Sequence, residues 1–142
     1  VRVVDDFAHH PTAINLAVKA LRQRYPDSRL WAIFEPRSNT TRRNVFQMEL
    51  AEALASADRA VIPAIADPGK FAEEERLDPE KLVRDIIEGG GKAAYFPTVE
   101  KIVDHVAMEA EGGDVVAVLS NGGFGGLHDL LLQRLGETSE EH

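Results

Sequence analysis

The 142-residue chain has no cysteine. That excludes a disulfide framework, a thiolate metal site and a cysteine nucleophile. It has no run of about 18 apolar residues, so a membrane span is excluded. It has no basic excess: 16 Lys and Arg stand against 24 Asp and Glu, a net charge of −8. A nucleic-acid binder needs a cationic footprint to neutralise phosphates, so nucleic acid is not an expected partner. The opening VRVVDDFAHH has no signal-peptide apolar region and no initiator Met. The expectation from such a start is the inside of a longer protein, with the cytoplasm as its default compartment. The motifs GxGxxG and GxxxxGK[ST] are missing, so the chain carries no self-sufficient dinucleotide site or P-loop.

What is present is an alternation. Five apolar runs of strand length lie at Val1–Asp5, Leu30–Glu35, Arg59–Pro63, Ala93–Phe96 and Asp114–Ser120. VRVV, LWAIF and DVVAVL are almost continuously apolar, as suits strands covered on both faces. Between the runs, apolar residues recur at helical spacing. The stripes are Ile14, Ala17, Val18, Leu21; Phe46, Leu50, Ala53, Leu54, Ala57; Leu82, Val83, Ile86, Ile87; Val99, Ile102, Val103, Val106; and Leu127, Leu130, Leu131. Asp78 before Pro79 reads as an N-cap, Thr98 as another, and Gly89–Gly91 and Gly112–Gly113 as helix stops. The expectation is one α/β domain over residues 1–136, Rossmann-like, with a mostly parallel five-stranded sheet flanked by helices. Residues 64–77 read as an exposed loop, and the acidic tail 137–142 as disordered.

Ligands of open α/β sheets bind outside the carboxyl ends of the strands. Here those ends carry DDFAHHPT, EPRSNTTRR and SNGGFGG. The glycines of the last let backbone approach a ligand, and the N–H groups of the loop and the following helix suit an anion. Tight packing alone also explains such a turn. His9 and His10 lack the i, i+4 spacing of a helical zinc pair, so no metal site is assigned. Either one of them caps a backbone group, or they hydrogen-bond a sugar or phosphate. Arg37, nearest a strand end, suits bidentate capture of carboxylate or phosphate. Arg42 and Arg43 are as well explained by a solvated helix face. Asn39 or Thr40 is a candidate cap of the second helix. His128 either reaches the cleft or covers surface, and Phe124 is either a stacking lid or a core anchor. A cationic segment in an acidic chain points to a small anionic ligand.

Together DDFAHHPTAI, FEPRSNTTRRNVF and LSNGGFGGLH resemble the C-terminal domain of the Mur ligases, over nearly the whole chain. Phe7, Ala8 and Pro36-Arg37-Ser38-Asn39 depart from the alanine-adding branch. They resemble the recycling branch, which joins UDP-N-acetylmuramate to the murein tripeptide L-alanyl-γ-D-glutamyl-meso-diaminopimelate. Pro36-Arg37-Ser38 is also similar to a Pro-Arg-Ser of the diaminopimelate-adding ligase, whose Arg binds a diaminopimelate carboxylate.

The resemblance implies a three-domain enzyme that uses ATP and Mg²⁺ and passes through an acyl-phosphate. An N-terminal domain binds the UDP-sugar, and a central one carries the P-loop, the Mg²⁺ ligands and a carbamylated lysine. The C-terminal domain closes over ATP and brings the amine. It usually has one further strand before the first of the five counted here, and that strand is expected to be missing from this chain. By carry-over, Asp6, His9 and His10 contact the nucleotide. Arg37, Ser38, Asn39, Ser120, Asn121, Gly122 and Phe124 line the peptide side. The role is positioning and electrostatics, with no covalent catalytic residue. This part alone is expected to be inactive and to bind ATP weakly. The competing readings are the alanine-adding branch and a stand-alone anion- or nucleotide-binding module.

Overall fold

The computed structural model describes residues 1–38 and 41–136, and the backbone alone of 139–141. The elements run β1 (Arg2–Asp6), α1 (Pro11–Arg24), β2 (Leu30–Phe34), α2 (Gln47–Ala55), β3 (Arg59–Ile62), α3 (Pro79–Glu88), β4 (Ala93–Tyr95), α4 (Val99–Glu109), β5 (Val115–Leu119), α5 (Leu127–Leu135) and β6 (Ser139–Glu141). The strands form one sheet in the order β4-β3-β2-β5-β1-β6, and every ladder is parallel. All five expected strands are present. The sixth is a correction: residues 139–141 of the tail pair with Val3–Asp5 along the edge of β1. An exposed parallel edge offers unpaired N–H and C=O groups to any extended segment, whatever its side chains.

All five residues of β2 and all five of β5 are buried. The pleat sends alternate residues to opposite faces. Leu30, Ala32, Phe34, Val115, Ala117 and Leu119 pack in one cluster with Ile14 and Leu21 of α1, Leu50 and Leu54 of α2, and Leu82 and Ile86 of α3. Trp31, Ile33, Val116 and Val118 pack in the other with Ile102 and Val106 of α4 and Leu127 and Leu131 of α5. Each such side chain contributes about 1.5–3 kcal/mol by leaving water. The chain thus winds its first three helices on one face and its last two on the other. The loop after β5 leaves toward one face, while its neighbours β1 and β2 send theirs to the opposite face. Crevices therefore open on both sides of β5, which is where such sheets bind ligands.

The caps follow the sequence in part. Asp78 accepts from the Lys81 N–H and Thr98 from the Lys101 N–H. Gly89 ends α3. Gly112–Gly113 do not end α4, which stops at Glu109 with Ala110 as its cap; Gly113, at φ +90°, makes the turn into β5. α2 begins at Gln47 after a 3-10 turn at Asn44–Phe46, with Phe46 in the N-cap position. Asn39 and Thr40 lie outside the described residues. Segment 64–77 is also corrected. Its polar residues are exposed, but Ile65, Phe71 and Leu77 are buried. It is tied to the loop after β2 by Leu77 N–H to Arg42 C=O at 2.9 Å and Asn44 Nδ2 to Glu74 C=O at 2.9 Å.

Candidate functional site at the carboxyl ends of three strands

β1, β5 and β2 are neighbours, so their three following loops meet. The Ser120 N–H donates to the Asp6 carbonyl at 3.0 Å, and the Glu35 N–H to the Leu119 carbonyl at 3.0 Å. Both extend the ladder one residue beyond the strands. The buried Ser120 hydroxyl donates to Glu35 Oε1 at 2.5 Å and accepts from the Gly122 N–H at 3.0 Å. On the Gly122 backbone a Cβ would stand 3.1 Å from Arg37 Nε, so Arg37 lies along the glycine loop because residue 122 has no side chain. Ser120, Gly122 and Arg37 therefore meet, and Asn121 is exposed beside them.

Asp6 Oδ1 accepts from the Ala8 N–H at 2.8 Å and holds the turn out of β1. The two histidines that follow are fixed in opposite senses. The His9 Nδ1 lies 3.0 Å from the Phe7 carbonyl, an acceptor, so this nitrogen carries a proton, which leaves Nε2 as the acceptor whenever the ring is neutral. The His10 Nδ1 accepts from the Thr12 N–H at 3.3 Å as the N-cap of α1, so Nε2 carries the proton and donates. His10 also packs edge-on against Phe46, with ring centres 4.7 Å apart. A donor at His10 suits a phosphate oxygen, and an acceptor at His9 suits a hydroxyl. The residues expected to meet a nucleotide thus fit one chemically.

Other expected residues have different duties. Phe124 is a correction. Its ring is only 2% exposed and belongs to the core beneath the loop, so it anchors the loop and does not line the cleft. The Ser38 hydroxyl, 2.7 Å from Thr41 Oγ1, accepts from the Thr41 N–H and shapes its own turn. Arg42 is buried, with Nη1 donating to the Ala66 carbonyl at 3.0 Å, and Arg43 lies over the Phe71 ring. Both touch the 64–77 segment; Arg42, being buried, is no solvated face, while Arg43 is exposed. His128 is half-buried on the first turn of α5. Glu35 escaped the sequence reading. Its signal was its place: the one carboxylate at the tip of an apolar run that opens a cationic segment. Among the described residues, no group of three His, Asp or Glu side chains could hold a metal ion, and no helix is long and apolar enough to cross a membrane.

The all-parallel sheet order, with helices on both faces and three polar loops at one end, is that of a doubly wound α/β domain. The chain belongs to the Mur ligase family, as its C-terminal domain: the family described as "Mur ligase, glutamate ligase domain" matches residues 1–122. It is 36% identical over 145 aligned positions to the UDP-N-acetylmuramate–L-alanyl-γ-D-glutamyl-meso-2,6-diaminoheptandioate ligase of Escherichia coli K12, covering 99% of this chain and 29% of that protein. It is 34% identical to a UDP-N-acetylmuramate–L-alanine ligase of Bifidobacterium longum subsp. infantis, over 95% of this chain and 27% of that protein. A murein peptide ligase from Psychrobacter arcticus superposes with a TM-score of 0.78 at 33% identity, over 94% of this chain and 28% of that one. The chain thus spans less than a third of the length of each of these three relatives.

Proposed function

We propose that this domain is the C-terminal part of a cytoplasmic, ATP- and Mg²⁺-dependent ligase. The full enzyme joins UDP-N-acetylmuramate to L-alanyl-γ-D-glutamyl-meso-diaminopimelate in peptidoglycan recycling. The observation that carries the reading is the meeting of Arg37, Ser120 and Gly122 at the crevice. The branch is supported by the similarity to the tripeptide-adding ligase. ATP supplies the phosphoryl group that activates the muramate carboxylate as an acyl-phosphate. Asp6 and the two histidines orient the nucleotide, with His10 donating and His9 accepting. The glycine loop and Arg37 hold the incoming peptide, the guanidinium pairing with one of its carboxylates. No residue of this domain is assigned to Mg²⁺, whose ligands belong with the P-loop in the central domain. Packing the domain onto its N-terminal and central partners keeps water from the acyl-phosphate.

The test is ligation by the full-length enzyme, with phosphate release as readout. It is given ATP, Mg²⁺, UDP-N-acetylmuramate and either tripeptide or L-alanine. Turnover with the tripeptide and not with alanine is the expected result. Turnover with alanine alone would assign the domain to the alanine-adding branch, which the Bifidobacterium relative favours. Turnover with neither returns it to a binding module. In the same assay Arg37→Ala is expected to raise the tripeptide KM about tenfold, since a hydrogen bond to a charged partner contributes about 1.5–3 kcal/mol. The ATP KM is expected to stay within about twofold, the peptide contact being separate from the nucleotide's. An unchanged tripeptide KM removes Arg37 from the peptide site.

A further inference from the structure

The amino end of the sheet, opposite the cleft, carries a second polar hollow. Arg29 stands just before β2, Arg59 opens β3 and Lys92 stands just before β4. These strands are neighbours, about 4.8 Å apart. Arg59 is in register with Trp31, and Lys92 precedes Ala93, the partner of Ala60. Three cations thus sit at three successive strand entrances. They line one cavity of about 380 Å³, with Arg22, Asp27 and Asp58 also on its wall. That volume is within the range of small-molecule pockets, about 300–1,000 Å³.

Arg22 and Asp58 satisfy each other, with Nη1 to Oδ2 at 2.9 Å, and Asp58 also accepts from the Leu30 N–H. Asp27 is exposed. The other three cations keep donors in hand. Arg29 gives Nε and Nη2 to Asp114 and Nη2 to the Glu109 carbonyl, which leaves Nη1 with Glu111 Oε1 at 3.9 Å. Arg59 reaches Glu109 Oε2 through Nη1 at 3.5 Å, and among the described residues its Nε and Nη2 meet no acceptor. Nor does the Lys92 ammonium. Both guanidiniums lie over the buried Trp31 ring, 5.6 and 5.0 Å from its centre, and Asp114 fixes that ring through its Nε1. Guanidiniums stacked in this way lose little freedom on binding.

We propose that this cavity binds the phosphoryl group of a small molecule, cradled by Arg29, Arg59 and Lys92. The oxygens of a carboxylate lie in one plane, whereas those of a phosphate point in three directions and suit donors from three side chains. The cavity has room for the body that carries the group. In a chain of net charge −8, four cations against two carboxylates on one wall reverse the local field and draw anions there. The site lies at the far end of the sheet from the cleft, so the inference does not rest on the ligase reading.

The test is the rate at which an amine-acylating reagent modifies Lys92 in the full-length enzyme, read by peptide mass spectrometry. Phenyl phosphate, inorganic phosphate and acetate are compared at equal ionic strength. Lys19 and Lys101, exposed on α1 and α4, are internal controls. Phenyl phosphate is expected to slow modification of Lys92 about tenfold when nine sites in ten are filled, since only the empty fraction reacts. Acetate and the two control lysines are expected to show no such effect. Protection by inorganic phosphate too supports the phosphoryl group as the recognised part, and protection by phenyl phosphate alone supports the same site with a contribution from the body. Arg59→Gln is expected to need at least about tenfold more phenyl phosphate for equal protection, the loss of a charge-assisted contact. Arg37→Ala, in the cleft, is expected to keep the protection of the wild type. Equal protection by acetate, equal slowing of all three lysines, or no protection of Lys92 in the wild type overturns the inference, and these comparisons decide it even where the Arg59 variant fails to fold. None of those outcomes bears on the ligase reading.

Discussion

Asp114→Asn is expected to cost about 3 kcal/mol, the lower end of what breaking a buried ion pair costs. For a chain of this size that is a fall in Tm of about 10 °C. The residue lies at the opposite end of the sheet from the cleft, just before β5, and its side chain is 5% exposed. A single oxygen, Oδ2, accepts from Arg29 Nε at 3.0 Å, Arg29 Nη2 at 2.7 Å, Trp31 Nε1 at 2.9 Å and the Glu111 N–H at 3.0 Å. The bonds join β2, β5 and the turn between α4 and β5, and they satisfy the only polar atom of the fully buried Trp31. An amide in that place carries no charge to hold Arg29 and brings two further donors to a site already crowded with donors.

The pH dependence identifies the cause. Burial pushes the Asp114 carboxyl up, but the Arg29 hydrogen bonds, the Glu111 N–H and the Trp31 N–H outweigh it, so its pKa lies below 3.8. The unfolded chain binds that proton first. The stabilisation is fully present above the unfolded value and lost as pH falls through the folded one. Asp58 is lowered in the same direction: burial opposes the shift, and Arg22 with the Leu30 N–H overcomes it. His105, held below 6.5 chiefly by burial, adds a decline below that value that both proteins share. The difference in Tm between wild type and Asp114→Asn is therefore expected to be constant above about pH 5 and to narrow below about pH 4. Thermal melts from pH 3 to 8 check this. A gap that persists undiminished at pH 3 would mean the charge is not its source.

The layers of this fold were legible because burial on two faces writes itself as unbroken apolar runs. LWAIF and VVAVL cannot face water on either side, and they turn out to be the two central strands. The position of the cleft was legible for a related reason: strand ends in a parallel sheet share one side, so three polar loops in a row had to gather there. What escaped depended on contacts between segments far apart in the chain. Ile65, Phe71 and Leu77 stand six residues apart, too sparse to trace a helical stripe or a strand face, so nothing local marks them as anchors among the charges of 64–77. Phe124 reads as either a lid or a core anchor because its glycine neighbours suggest openness, yet that same freedom lets the loop turn the ring inward. Glu35 was passed over because one carboxylate at the end of a strand acquires meaning only through Ser120, 85 positions away. The edge strand formed by the tail is a pairing of backbone groups, which a composition of acids does not reveal.

Phe124 carries the second large effect, and with it an unusual order among substitutions. The residue has φ +46° and precedes Gly125 at +57° and Gly126 at +77°. A left-handed backbone costs an L-residue about 1–2 kcal/mol, and bulky side chains are rare there. The cost is borne because the turn must reverse within three residues while its one large side chain fills the core beside Ile102, Leu127 and Leu131. Phe124→Ala removes the ring and keeps the strain, so a loss of about 3–5 kcal/mol is expected. Phe124→Gly removes the ring and the strain together. Glycine ordinarily lies about 0.5–1 kcal/mol below alanine. Here the glycine variant is expected to be the more stable of the two by about 1 kcal/mol, the left-handed cost minus the extra chain entropy. Urea unfolding of the two variants checks the order, and alanine above glycine would mean that the backbone is not strained. Because Gly122 lies on the same loop as Phe124 and Arg37 of the loop after β2 lies along it, either variant of the full-length enzyme is expected to raise the peptide KM through displacement of the loop, although the ring itself is buried beneath the cleft.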